Sequence, residues 1–492
     1  MERCCGILMA VSSLPSPHGI GTFGKAAYDF IDFLRKAGQK CWQVLPLGPV
    51  GYGDSPYQSF STFAGNPYYI DLELLAEEGL VSPEMLGSLD WGGMDGKVDY
   101  EKIYDNRFAV LKAACLSRGD KEKAAAAAFA ERNHEWVYDY ALYMALKQLF
   151  CMKSWTEWPD EAIRRRDGDR MGYYWHRLKD QIDCWIYIQY LFFRQWDELK
   201  RYANKSGIRI IGDLPIYAAM DSVDVWSHKD LFQLDEACAP VCVAGCPPDY
   251  FSECGQLWGN PVYRWERHKE TGYAWWRGRL SASLRMFDIL RIDHFRGFEA
   301  YYKISAGQAT AKKGIWEKGP GIELFKAVSD VIGEGHIIAE DLGHMTAEVK
   351  KLLKDTGFPG MKVLQFAFEP KDSSDYLPHN HTANCVVYTG THDNTTAAGW
   401  FREAKPGEIA FAKKYLALSE NEGLHWGLIR GAYGSVANMA IVQMQDILGL
   451  DESARMNTPS TMGGNWQWRL DSGLVTSELC RRLKELAVMY GR

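Results

Sequence analysis

The sequence has no long apolar run and no excess of positive charge. Its 492 residues are 47% hydrophobic and 24% charged, and no segment approaches the roughly 18 consecutive apolar residues that a membrane-spanning helix requires. This balance excludes disordered, collagen-like and membrane-spanning classes of protein. The length suits two to four folding units, or one large α/β barrel that carries insertions.

Acidic residues outnumber basic ones, which limits the partners of this protein. The formal net charge is -7, the isoelectric point is about 6.0, and no local basic patch stands out. We therefore expect neither a nucleic acid nor an acidic membrane as a partner, because both need clustered positive charge. Aromatic residues are abundant, with 18 Trp, 26 Tyr and 21 Phe. Their flat faces suit stacking on uncharged polar rings such as sugars or bases.

The twelve cysteines are scattered and lack the spacing of a metal site. No secretory leader precedes the first strand-like residues, so we expect the protein in the cytoplasm, where thiols stay reduced. Cys238, Cys242, Cys246 and Cys254 lie close together in the sequence. This group has no pair separated by two residues and no histidine partner, so free thiols in a loop are favoured over a structural zinc ion.

Eight short apolar or β-branched runs predict buried strands. They cover residues 5–14, 41–47, 208–216, 286–295, 336–343, 361–369, 385–394 and 439–448. Segments with helical periodicity separate several of these runs, and strands buried on both faces are typical of parallel sheets. The sequence therefore predicts an α/β fold, a closed (β/α)8 TIM barrel, rather than an open doubly wound sheet.

The uneven spacing of the runs predicts insertions into a single catalytic barrel that spans residues 1–492. The connections after the second and third runs are far longer than a crossover helix needs. We therefore expect inserted, largely helical subdomains after strands 2 and 3. Their approximate bounds are 66–180 for a helical subdomain and 217–280 for a lid or substrate subdomain.

Carboxylates lie at the ends of four of the predicted strands. They are Asp213, Asp293, Glu340 with Asp341, and Asp393. In a barrel of this kind the catalytic groups come from the carboxyl ends of the strands. A single acid there is most often a solvated turn residue or a helix cap. Four strands that end in acids at one rim instead indicate a reaction centre.

Arg291 and Asp293 share one face of the fourth predicted strand, because successive side chains alternate between faces. A guanidinium beside a carboxylate favours the charged form of the acid. We therefore interpret Asp293 as an ionised nucleophile. A structural ion pair is the alternative.

Glu340 and Asp341 are neighbours and must point to opposite faces of their strand. Glu340 shares its face with apolar residues, which favours the protonated form of its carboxyl and suits a proton donor. Asp393 has His392 beside it. This pair offers a carboxylate and a neutral donor that can hold the hydroxyl groups of a bound ring.

An ionised carboxylate, a protonated carboxyl and aromatic faces together suit retaining glycoside cleavage, in which the two groups lie roughly 5 Å apart. Phosphoryl transfer would need a phosphate cradle or a lysine-rich site, and metal-dependent hydrolysis would need further histidines. Residues 18–24 match the GxGxxG pattern. Pro15 and Pro17 interrupt the preceding turn and no ribose-binding acid follows, so we interpret these glycines as a loop near the barrel mouth rather than a dinucleotide site.

These residues and their surroundings resemble glycoside hydrolase family 77, the amylomaltases or disproportionating enzymes, which are 4-α-glucanotransferases related to the α-amylase clan. The resemblance covers nearly the whole chain. It rests on SSLPSPHGIGTFG, GYGDSPYQSFSTFAGNPYYIDL, GDLPIYAAMDSVDVW, PPDYFSECGQLWGNPVY, RIDHFRG, AEDLG, TGTHDN, RMNTPST and NWQWR. Cys246 and Thr395 depart from the family pattern, which concerns the packing of the lid and the choice of subsites.

The resemblance implies a role for each acid of the site. Asp293 would be the nucleophile, Glu340 the acid/base and Asp393 the stabiliser of the transition state. The implied glucan contacts, some of them in a mobile lid after the PPD motif, are Arg291, His392, Asp213, Tyr57, Ser55, Asp249, Tyr250, Gln256 and Trp258.

The implied reaction is cleavage of an α-1,4 bond in a malto-oligosaccharide, or in a glucan derived from amylose or glycogen. The fragment passes to the 4-hydroxyl of another glucan or of glucose, with retained stereochemistry and without a metal or organic cofactor. Two alternatives stay open, an α-amylase-like retaining hydrolase and a non-catalytic glucan-binding barrel. The intact set of carboxylates argues against the second.

Overall fold

The computed structural model describes residues 2–51, 53–92, 96–248, 253–343, 345–370 and 374–492. Within these ranges the chain forms twelve strands and twenty α-helices. The strands are β1 (Cys4–Leu8), β2 (Cys41–Gln43), β3 (Arg209–Leu214), β4 (Cys242–Cys246), β5 (Gln256–Pro261), β6 (Ile289–Ile292), β7 (Ala300–Ser305), β8 (Gly314–Lys318), β9 (Ile337–Ala339), β10 (Gly360–Val363), β11 (Cys385–Tyr388) and β12 (Met439–Gln443).

The helices lie mainly between the strands, as a barrel with insertions requires. They are α1 (Lys25–Lys36), α2 (Leu72–Glu77), α3 (Pro83–Ser88), α4 (Tyr100–Ser117), α5 (Asp120–Arg132), α6 (Val137–Leu149), α7 (Glu161–Arg165), α8 (Gly168–Arg177), α9 (Lys179–Lys205), α10 (Val223–Ser227), α11 (Trp265–Glu270), α12 (Ala274–Met286), α13 (Ile322–Ala327), α14 (Ser329–Ile332), α15 (Ala347–Thr356), α16 (Ala397–Glu403), α17 (Pro406–Tyr415), α18 (Leu424–Gly434), α19 (Met444–Ile447) and α20 (Ser477–Met489).

Eight of the strands close into a parallel barrel in the order β1-β12-β11-β10-β9-β6-β3-β2. Each of the eight runs predicted from the sequence overlaps one barrel strand, so the predicted (β/α)8 barrel is confirmed. The barrel strands are short and buried on both faces, and β6 and β12 are buried along their whole length. Side chains fill the barrel and helices cover it, which explains why these runs show no apolar and polar alternation.

The first long insertion is helical. Helices α2 to α9 lie between β2 and β3, and the 27-residue helix α9 leads back to the barrel. It packs against α4, α5 and α6. The described residues of segment 66–180 are thus mainly helical, and the status of this segment as a separate subdomain stays a prediction.

A second sheet has four antiparallel strands in the order β5-β4-β7-β8. β4 and β5 lie between the barrel strands β3 and β6, and β7 and β8 follow β6. The insertion after the third barrel strand is therefore less helical than we expected, because residues 242–261 contain two strands. The sequence of β4 is CVAGC, whose small residues give little of the β-branched signal that marks a strand.

The cysteines behave differently from expectation at two places. Cys242 and Cys246 begin and end β4 instead of lying in a loop, and neither forms a disulfide. Cys115 in α4 and Cys184 in α9 form a disulfide, which no sequence pattern indicated. The other ten cysteines lie outside disulfides.

The glycines of residues 18–24 allow close packing of the backbone. A Cβ atom at Gly21 would overlap the carbonyl oxygen of Val11. Gly24 precedes the first residue of α1, and a Cβ atom there would overlap the carboxylate of Asp71. These positions thus need glycine because other parts of the same chain lie against them.

Candidate active site

The acids singled out in the sequence follow strands of the barrel. Asp213 lies near the end of β3, Asp293 follows β6, Glu340 follows β9 and Asp393 comes after β11. All four strands are parallel, so their carboxyl ends lie at the same end of the barrel. Polar and aromatic contacts connect these residues there.

A chain of polar contacts fixes the position of Asp293. The hydroxyl group of Tyr57 donates to Asp213 Oδ2 at 2.8 Å, and Arg291 Nη1 lies 2.6 Å from the same oxygen. Arg291 Nη2 lies 3.1 Å from Asp293 Oδ1. Asp213 and Arg291 are buried, whereas 26% of the Asp293 side chain is exposed. The buried pair therefore orients Asp293 and leaves part of its carboxylate open.

Backbone N–H groups hold the carboxylate of Glu340. Its Oε2 accepts from the N–H of His294 at 2.6 Å, and its Oε1 accepts from Leu342 at 3.1 Å. His294 follows Asp293 directly and has a left-handed backbone, with φ of 49°. Because of this turn, the acid that follows β9 contacts the chain beside Asp293. Asp341 is turned towards β10 instead, where it accepts from the N–H of Met361, as the alternation of side chains predicts.

Burial raises the pKa of both central carboxyls. It raises the pKa of Asp293 to about 7, against the opposing positive charge of Arg291. It raises the pKa of Glu340 to about 8, and the negative charge of Asp293 adds to this rise. The effect of Arg291 that the sequence indicated is present, but desolvation outweighs it. Ionisation of Asp293 therefore favours the protonated form of Glu340.

His392 and Asp393 form a second polar pair at the site. Burial lowers the pKa of His392, so its ring is neutral near pH 7. Its Nε2 lies 3.4 Å from Asp393 Oδ1. The side chain of Asn457 donates to the same oxygen at 2.6 Å, a contact that the sequence analysis missed although the RMNTPST motif contains this residue.

Aromatic rings line the same region. The ring of Tyr57 stacks on that of His392, with ring centroids 5.1 Å apart and an interplanar angle of 16°. Trp466 packs against both rings, and its ring centroid lies 5.8 Å from that of Tyr57 and 5.9 Å from that of His392. Ser55 shapes this loop, because its Oγ accepts from the N–H of Tyr57 at 3.3 Å. No sequence pattern links Trp466 to this site, because it lies far along the chain from its partners.

Trp258 and Gln256 lie in β5 and reach the site from the second sheet. The rings of Trp258 and His294 make a T-shaped contact, with centroids 4.8 Å apart. Trp258 Nε1 donates to Gln256 Oε1 at 3.1 Å. Gln58 Nε2 donates to the carbonyl oxygen of Trp258 at 3.2 Å. β5 therefore contacts both the turn after Asp293 and the loop that carries Tyr57.

Two of the predicted contacts, Asp249 and Tyr250, lie outside the described residues. In the part of the chain that the structure describes, no group of three or more His, Cys, Asp or Glu side chains is arranged to hold a metal ion. Within the same ranges, no helix combines the length and the apolar character needed to cross a bilayer.

Comparison with known proteins decides the family. The family model described as 4-alpha-glucanotransferase, glycoside hydrolase family 77, matches residues 9–475. The chain belongs to this family. It is accordingly a 4-alpha-glucanotransferase with the barrel fold described above.

Full-length relatives agree with this assignment. The 4-alpha-glucanotransferase of Clostridium butyricum is 49% identical over 486 residues, which are 98% of this chain and 100% of the relative. The enzyme of the same name from Thermus thermophilus is 48% identical, over 99% of this chain and 98% of its own. The structure of amylomaltase from Streptococcus agalactiae in complex with acarbose has a TM-score of 0.97 and 42% identity, with complete coverage of both chains.

Proposed function

We propose that this 4-alpha-glucanotransferase moves segments of α-1,4-glucan by two displacements at Asp293. The observation that carries this proposal is the contact between the carboxylate of Glu340 and the N–H of His294, the residue next to Asp293. It brings a proton donor to the turn that bears the nucleophile. The donors would be malto-oligosaccharides or glucans derived from amylose or glycogen, and the S. agalactiae relative binds acarbose.

In the first displacement, Glu340 gives its proton to the oxygen of the scissile bond. The carboxylate of Asp293 attacks the anomeric carbon, and the reducing-end fragment leaves with that proton. The donor fragment is then held as an ester on Asp293. In this step the higher pKa of Glu340 and the lower pKa of Asp293 match their roles of acid and nucleophile.

In the second displacement, the 4-hydroxyl of an acceptor glucan or of glucose loses its proton to Glu340. The acceptor oxygen attacks the anomeric carbon and displaces Asp293. One α-1,4 bond is broken and one is formed, with retained stereochemistry. Asp393 and His392 would hold hydroxyl groups of the donor ring, and Tyr57 and Ser55 would form part of its wall. Neither displacement calls for a metal or organic cofactor.

We propose that the subdomain of residues 217–280 acts as a lid on the acceptor side. Trp258 supports this role, because it is only half-buried and it is held in place by Gln256 and Gln58. Together with Asp249 and Tyr250, which precede it in the sequence, it would bind the acceptor and keep water away from the ester. We also propose that the enzyme works in the cytoplasm. Ten of its twelve cysteines lie outside disulfides, which supports this compartment, whereas the Cys115–Cys184 disulfide is the one feature that favours a more oxidising one.

Incubation with maltotriose tests the proposed transfer. We expect glucose together with oligosaccharides longer than maltotriose, at a constant number of reducing ends. Rising reducing ends with only shorter products would identify a hydrolase. A non-catalytic barrel would give no products, and the Asp293→Asn variant provides that reference.

A further inference from the structure

The shorter of the two polar contacts to the carboxylate of Asp393 comes from a segment outside the barrel strands. Residues 455–457 follow the last barrel strand and come back to the loop that carries His392 and Asp393. Asn457 Nδ2 lies 2.6 Å from Asp393 Oδ1, compared with 3.4 Å for His392 Nε2. The Asp393 side chain is 43% exposed, so the surrounding packing does not fix it.

The backbone of the same loop is held by the same short segment. The N–H of Asn457 donates to the carbonyl oxygen of His392 at 3.1 Å. Arg455 Nη2 donates to the carbonyl oxygen of Asp393 at 2.6 Å, and Arg455 Nε donates to that of Asn457 at 2.7 Å. The segment thus contacts the backbone of both residues as well as the carboxylate of Asp393.

We propose that Asn457 is a positioning residue for Asp393, with Arg455 as its support. By occupying Oδ1, the amide of Asn457 fixes the rotation of the carboxylate and leaves Oδ2 for a hydroxyl group of the substrate. An amide suits this position because it is a donor that stays neutral at every working pH. This inference rests on the role of Asp393 proposed above.

The Asn457→Ala variant removes the amide and leaves the backbone contacts in place. A hydrogen bond to a charged group accounts for roughly 10- to 100-fold in a rate. We expect kcat for maltotriose to fall by about that factor while KM changes little, because a loose Asp393 affects the transition state more than ground-state binding. An unchanged kcat would overturn the proposal.

Asn465→Ala is the matched control from the same loop. Asn465 bonds to Thr458 and Thr461, so its loss tests the rigidity of the loop without removing the contact to Asp393. We expect a change in kcat of less than threefold. A fall as large as that of Asn457→Ala would show that loop rigidity, and not the bond to the carboxylate, is what matters.

Asn457→Asp gives a readout that a merely structural role would not produce. Two carboxylates would then face each other, and only a protonated one can donate. We expect lower activity than Asn457→Ala at pH 8, and a gain relative to wild type as the pH falls. The charged or titratable groups that interact with Asp393 or with its neighbours His392 and Arg455 are the same in wild type and variant. They are Asp293, Arg291, Asp213, Tyr57 and Glu403. Parallel pH profiles would contradict the proposal.

The Asp393→Asn variant distinguishes an error in the role proposed for Asp393 from an error in the role proposed for Asn457. If it keeps full activity, the proposed role of Asp393 itself is wrong. If it is inactive while Asn457→Ala is fully active, only the role of Asn457 is wrong. Thermal unfolding of each variant, followed by circular dichroism, confirms that the loss of activity is not a loss of fold.

Discussion

The carboxylate of Glu340 accepts a hydrogen bond from the N–H of His294 at 2.6 Å. The two residues come from different barrel strands, and His294 follows Asp293 directly. This contact links the proposed acid/base to the turn that carries the proposed nucleophile. The hydrogen bond itself lowers the pKa of Glu340, but burial and the nearby negative charge of Asp293 outweigh it and raise that pKa.

The pH dependence of catalysis follows from the two carboxyls. Asp293 must be ionised, so kcat/KM should fall as the pH drops below its pKa of about 7. Glu340 must be protonated, so kcat/KM should fall as the pH rises above its pKa of about 8. Initial rates with maltotriose from pH 5 to 10 should give a narrow bell-shaped pH profile.

As a control, α-maltosyl fluoride needs no proton for departure of its leaving group, so the fall at high pH should disappear from the rate of its first displacement. If the rate with α-maltosyl fluoride still falls at high pH, a group other than Glu340 causes that fall.

Tyr57→Phe should lower kcat by roughly 10- to 100-fold, because buried Asp213 loses a hydrogen-bond donor and the network that holds Asp293 loosens. The ring that stacks on His392 remains, so KM for maltotriose should change less than in Tyr57→Ala. Steady-state kinetics of both variants give the comparison. Tyr104→Phe, at a ring that is 40% exposed, is the control and should match wild type. If Tyr57→Phe and wild type have equal kinetics, the hydrogen bond from Tyr57 to Asp213 does not help to position Asp293.

Trp258→Ala should raise the ratio of hydrolysis to transfer, because the acceptor would lose a stacking face and water would reach the ester. The ratio is measured from reducing ends and from chromatography of the maltotriose products. Trp316→Ala is the matched control, because Trp316 lies in the same sheet but packs under the guanidinium of Arg296. If both variants change the ratio equally, a direct role of Trp258 is excluded.

The disulfide between Cys115 and Cys184 should add to the stability of the helical insertion. The two cysteines are 69 residues apart, and a loop of that length corresponds to about 4 kcal/mol in the chain-entropy account. Reduction, or Cys115→Ser, should lower the free energy of unfolding in urea by up to that amount. Titration of thiols in denatured, unreduced protein should find ten. Twelve thiols would show that the bond does not form where the enzyme is made.

The barrel was predictable because its strands are buried on both faces and leave continuous apolar runs, as Ile289–Ile292 does. The positions of the acids were predictable because the carboxyl ends of all parallel barrel strands lie at one end of the barrel. β4 was not predicted, because small residues leave a weak strand signal. Asn457 was missed because its partner Asp393 is 64 residues away, and no local pattern connects the two.

The pKa of Asp293 shows a further limit of sequence reasoning. Arg291 is visible two residues away and indicates a stabilised charge. Desolvation of the carboxyl, which raises the pKa, arises only when the barrel has folded. Only the folded chain shows that desolvation outweighs the neighbouring guanidinium.

The most direct test of the account is the site of the covalent ester. The Glu340→Gln variant, given α-maltosyl fluoride, can complete the first displacement but lacks the base for the second. Mass spectrometry should find one maltosyl group per chain, attached to Asp293 after proteolysis. An ester on any other residue, or fluoride release without an adduct, would contradict the proposed mechanism.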